Sequence, residues 1–67
     1  MFFTVIEIQE VDGVKACLPM IYDDYNLALN KLYTVLAAAS VSNLPYHSCH
    51  ILRSDGNIID GKVFKRE

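Results

Sequence analysis

The chain has 67 residues, 52% of them hydrophobic and 21% charged, with a formal net charge of -2. That length allows one domain near the lower size limit for independent folding, and that composition excludes a disordered chain. Nucleic-acid binding is driven by clustered Lys and Arg that neutralise phosphates. Here only six residues are basic, and the one basic cluster, Lys62, Lys65 and Arg66, is small and followed by Glu67. The balance argues against nucleic acid as a partner.

Phe3 to Gln9 reads as a strand, with β-branched and aromatic residues in series. Thr4, Ile6 and Ile8 fall on one face, and Phe3, Val5, Glu7 and Gln9 on the other. Asp12-Gly13 signals a tight turn because these residues tolerate the positive φ that such turns require. Val14 to Ile21 is the return strand. Pro19 cannot donate to a ladder, so this strand lies at an edge or holds its proline at an unpaired position.

At Tyr22-Asp23-Asp24 the period changes from two to 3.6. Asp23 reads as an N-cap, with Tyr22 and Leu27 as a hydrophobic staple across it. The spacing predicts a helix from Asp24 to about Ser40. Its apolar stripe is Tyr25, Ala28, Leu29, Leu32, Leu36 and Ala39, with Val35 and Tyr33 at the margins. Asn26, Asn30, Lys31 and Thr34 are assigned to solvent. Asn43 is the expected left-handed residue after the helix, and Pro45 keeps Leu44 out of helical dihedrals. Tyr46 to Arg53 is a third strand, Asp55-Gly56-Asn57 a second turn, and Ile58 to Lys65 a fourth strand. Gly61 inside the last strand marks a bulge or a close backbone approach. The expected fold is α+β: two β-hairpins flanking one helix, ββαββ, in a four-stranded antiparallel sheet covered on one face.

One helix covers only one face, and in every strand the apolar and polar alternation is blurred. With the helix on the face of Ile6, Ile8, Ala16, Leu18 and Met20, the other face shows Phe3, Val5, Cys17 and Ile21. His47, Cys49, Ile51 and Phe64 extend that open face into the second hairpin. Contiguous exposed apolar surface marks an interface. Those eight residues are therefore the candidate contact surface for a homodimer or another protein partner, through the open face or a free edge. Scattered outward hydrophobes with no partner are the plainer reading.

No catalytic residue, cofactor site or metal site emerges. His47 and Cys49 share a strand face but His50 points the other way, so at most two local ligands converge where zinc wants three or four. A Cys–His nucleophile on the same pair lacks anything to activate the thiol. Asp23 and Asp24 are explained by capping, and the glycines are too scattered for a phosphate loop. Cys17 and Cys49 follow no secretion signal, and the Ala-rich stretch is far too short to span a membrane. A cytoplasmic setting is expected, with both cysteines acting as small buried hydrophobes.

Several segments together resemble small uncharacterised phage and prophage proteins of Gram-positive bacteria. They are Val5-Ile6-Glu7-Ile8-Gln9, Tyr22-Asp23-Asp24, Val35-Leu36-Ala37-Ala38-Ala39-Ser40-Val41-Ser42, Pro45-Tyr46-His47-Ser48 and Asp55-Gly56-Asn57. The resemblance implies a non-enzymatic accessory binder, virion component or inhibitor of host machinery, and it transfers no functional residue. Two other readings compete with it. One is an acidic inhibitor of a nucleic-acid-handling enzyme, presenting Glu7, Glu10, Asp12, Asp23 and Asp24 to a basic groove. The other is a small enzyme or metal protein centred on His47 and Cys49.

Overall fold

The computed structural model describes residues 1–66. Strands β1 (Phe3–Val11) and β2 (Val14–Tyr22) form a hairpin, helix α1 (Tyr25–Ser40) follows, and β3 (Tyr46–Arg53) and β4 (Ile58–Lys65) form a second hairpin. The expected ββαββ order holds, in one antiparallel sheet ordered β2-β1-β3-β4. Asp12 and Gly13 both take positive φ, 53° and 79°. That is the mirror-image two-residue turn whose twist suits a hairpin.

Antiparallel partners share a side of the sheet. Val5 lies between Met20 and Ile51, and Glu7 between Leu18 and Cys49. Helix α1 covers this side. Its underside of Ala28, Leu32 and Val35 closes on Val5, Cys49 and Ile51, with Phe3, Tyr22, Leu29, Leu36 and Ile59 around the rim. The covered face is therefore the reverse of the one assigned from sequence. The register also pairs Ile8 with Cys17 and Ile6 with Pro19, so these four share a side and Ala16, Leu18 and Met20 lie on the other. Val35 is central to the helix underside and not marginal, while Tyr25 and Tyr33 are exposed.

The helix ends differ from expectation in informative ways. Asp24, not Asp23, is the N-cap, and its carboxylate accepts from the Asn26 backbone N–H at 2.8 Å. The C-terminal residue Val41 has φ -108°, and Asn43 is not left-handed. The last carbonyls are instead met from across the fold: the Arg66 guanidinium donates to the oxygens of Ala39 at 2.8 Å and Ser40 at 3.0 Å. A cation at the negative end of the helix dipole is favourable there. Among the described residues no helix is long and apolar enough to cross a membrane.

Candidate interaction face

On the side that α1 leaves bare, the register arranges sixteen residues as a grid of four rows, each crossing β2, β1, β3 and β4. The rows are Ile21–Thr4–Leu52–Ile58, then Pro19–Ile6–His50–Gly61, then Cys17–Ile8–Ser48–Val63, and last Lys15–Glu10–Tyr46–Lys65. All fixed charge on this face lies in the fourth row, where Lys15 and Glu10 pair at 3.3 Å. Three successive rows therefore carry apolar or uncharged groups. Ile21 is 67% exposed, Ile58 64% and Val63 40%. A face so apolar, turned to water, is what a partner surface looks like.

Of the eight residues assigned to a contact surface from sequence, only Cys17 and Ile21 lie on this open face. Val5, Cys49 and Ile51 are fully buried under the helix, and His47 nearly so. Phe3 packs beside the Tyr25 ring at 5.2 Å. Phe64 is half-buried on the helix side, with Lys62 and Arg66 over its ring at 5.0 and 5.2 Å. The open face belongs instead to Ile6, Ile8, Cys17, Pro19, Ile21, Leu52, Ile58 and Val63. A register count from the Asp12-Gly13 turn carried the signal for this correction, because it sets which β1 residues travel with which β2 residues.

Both sheet edges are blunted at the second row. Counting back from the turn, Val11–Val14 exchange hydrogen bonds and every second pair follows. Pro19 falls at the alternate positions, so its nitrogen faces outward and the β2 edge lacks its middle donor. On β4 the corresponding donor, the Gly61 N–H, is taken by Oδ1 of its neighbour Asp60 at 2.8 Å. Edges treated this way resist strand addition. The flat face has no such protection.

Gly61 also shapes the grid. Its φ is +149°, and a Cβ there would fall 2.6 Å from the Cys49 carbonyl oxygen and within the His50 ring. Only glycine has both the dihedral freedom and the missing side chain. The close approach expected at Gly61 is the His50 imidazole lying across the strand. The ladder irregularity sits nearby, between Ile51 and Leu52, where Ile59 is the unpaired residue.

The helix side holds the chemistry-bearing residues, and they are tied to one another. His47 Nε2–H and Gln9 Nε2–H both donate to Oε2 of Glu7, each at 2.7 Å. Burial alone would push the Glu7 carboxyl up, but the hydrogen bonds from Gln9 and His47, with the nearby His47 and Lys31, bring it below the usual value. The same environment pushes the Cys49 thiol up to about 11, through burial first and the Glu7 charge second. A thiol held protonated and wholly buried is no nucleophile. Cys17 is exposed on the opposite side of the sheet, contrary to the buried role expected of it, and both cysteines are free. Among the described residues no group of three or more His, Cys, Asp or Glu converges as a metal site. Lys31, expected in solvent, is half-buried beside an open groove of about 270 Å³ that it lines with Tyr22, Leu27, Asn30 and Thr34.

The Glu7 pairing gives a signed acid response. Its folded value lies below the unfolded one near 4.5, so its contribution is complete above 4.5 and is lost as pH falls through the lower folded value. Urea unfolding between pH 6 and pH 3 should show stability declining toward acid, and Glu7→Gln should flatten that decline. An unchanged slope in the variant would show that other carboxylates carry it.

The five carboxylates proposed to face a basic groove do not assemble. Glu7 is under the helix with His47, Glu10 is on the bare face with Lys15, and Asp12 is in the first turn. Asp23 and Asp24 lie beyond the far end of β2. No family model, curated protein or solved structure matches the chain.

Proposed function

We propose that this chain is a non-enzymatic interaction module whose working unit is a homodimer, two copies closing face to face over the bare side of the sheet. The observation that carries this reading is the charge-free block of three rows. At the spacings of an extended sheet it measures about 20 by 19 Å. With side-chain relief that is roughly 600 Å² of accessible surface on each copy, or about 1,200 Å² in a dimer, the lower bound of a specific interface.

Three further features support a second copy as the occupant. The edges are blunted, so association is directed to the face. The three-row block offers no charge pattern for an unlike charged partner to complement, whereas an apolar sheet packs on its own likeness about 10 Å away. Among the described residues the helix side buries seven hydrophobic ones, Val5, Ala28, Leu32, Val35, Ala39, Cys49 and Ile51, a small core that a second layer would enlarge. The sequence resemblance to phage and prophage proteins supports an accessory role in that setting.

Sedimentation at micromolar concentration tests the proposal, with a dimer expected. Ile21→Lys combined with Val63→Lys changes two exposed side chains and should leave the circular dichroism spectrum intact. It should weaken dimerisation about 100-fold, roughly 0.7 kcal/mol for each of the four lysines that the two copies bring to the contact. A wild-type chain that sediments as a monomer at that concentration, or a double variant that dimerises as tightly as wild type, would sink the reading.

A further inference from the structure

We infer that the dimer contact is opened by acid, with His50 as the group that senses it. The inference rests on the homodimer reading and adds its regulation.

His50 is the one histidine in the three charge-free rows, and imidazole is the side chain whose ordinary charge change falls between pH 5 and 8. It sits on β3, one of the two central strands, in the second row. Its place is therefore interior to a face-to-face contact rather than at its rim. The ring is set over the β4 backbone by the missing side chain of Gly61. Its register neighbours are Ile6 on β1 and Gly61 on β4, and its own strand adds Ser48 and Leu52 on the same side. None of these is charged, and the Ser48 hydroxyl is itself buried with no protein partner.

The charged and titratable groups that face His50 are all distant or committed. Cys17 is in the third row. Lys15, Glu10, Tyr46 and Lys65 make up the fourth row, two rows away or roughly 13 Å along the strands. On the reverse side, Glu7 accepts from His47 and Gln9, Asp60 Oδ1 accepts from the Gly61 N–H, and Cys49 and Lys62 are register partners next to His50 and Gly61. An uncharged imidazole fits this contact. Among the described residues no carboxylate pairs with His50, so an imidazolium closed within the contact is unpaired, and burying an unpaired charge is strongly unfavourable.

In a two-fold dimer two such rings are desolvated together. Each proton that must be shed for closure weakens association as pH falls, by up to about tenfold per pH unit. The dimer therefore holds at neutral pH and separates as pH falls, with both protomers still folded.

The experiment is a dilution series by sedimentation at pH 7.5 and pH 5.5, with circular dichroism confirming the fold at both. The wild-type dissociation constant is expected to rise about tenfold or more between the two. In His50→Gln it should stay within about twofold, and likewise in His50→Phe, which keeps a ring over Gly61 and covers the case in which glutamine disturbs the face. A wild-type dimer with equal affinity at both pH values overturns the inference and leaves the dimer standing. A wild-type pH slope retained in His50→Phe also overturns it. A wild-type monomer at both pH values removes the dimer reading and this inference together.

Discussion

Gly61→Ala is expected to cost about 2 to 5 kcal/mol, the sum of a strained dihedral and an overpacked neighbour. Gly61 holds φ +149°, and the added methyl would meet the Cys49 carbonyl oxygen at 2.6 Å as well as the His50 ring. The ring can swing away, but the carbonyl belongs to a central strand and cannot. Gly56→Ala is the control. Gly56 also has positive φ, +90°, yet nothing lies within 4 Å of its added methyl, so only the dihedral penalty of roughly 1 kcal/mol remains. Urea unfolding of the two variants separates the effects. Equal losses would mean that the contact with β3 carries no energy. Because Gly61 seats His50, its replacement should also disturb the bare face, which the His50 proton resonances would report.

Leu32→Ala is expected to remove about 2 to 5 kcal/mol, by lost burial plus the cavity left under the helix. Leu32 is fully buried in the cluster formed by Val5, Ala28, Val35, Cys49 and Ile51. A chain this short has little stability to lose, and at about 4 to 8 °C per kcal/mol the melting temperature should fall by roughly 8 °C or more. Leu27→Ala, at a leucine that is 55% exposed, should cost roughly 0.5 kcal/mol or less. If the protein dimerises, both melts will depend on concentration, so the comparison belongs at one protomer concentration. A loss at Leu32 no larger than at Leu27 would contradict the packing of α1 on β1 and β3.

The element boundaries were readable because their signals are local. Asp12-Gly13 and Asp55-Gly56 announced two hairpins, and the 3.6-residue spacing of Tyr25, Ala28, Leu29, Leu32, Leu36 and Ala39 announced the helix. The face covered by that helix was not readable in the same way. Ile6 and Ile8 look like the core side of β1, whereas the helix lies over Glu7 and Gln9, with His47 beside them. These polar side chains tolerate the covered side because each is hydrogen-bonded to another, and the pairing of Glu7 with His47 spans forty positions. The Arg66 cap and the half-buried Lys31 escaped for the same reason: each depends on a long-range approach that no local pattern encodes. The idea of two apolar faces and one helix survived the inversion, but most of its residues changed. Cys17 and Ile21 remain on the bare side, and Phe3, Val5, His47, Cys49, Ile51 and Phe64 do not.

The strand order β2-β1-β3-β4 has a kinetic consequence. Each hairpin is a neighbour-in-sequence pairing that zips in microseconds without help from the other. The sheet becomes whole only when β1 meets β3, a seam whose partners run from Phe3 with Arg53 to Glu10 with Tyr46. Closing that seam brings together segments separated by the first return strand and the whole of α1, so its loop entropy sets the folding barrier. Substitutions along the seam, at Val5 or Ile51, should therefore slow folding, while those in the outer strands should chiefly hasten unfolding.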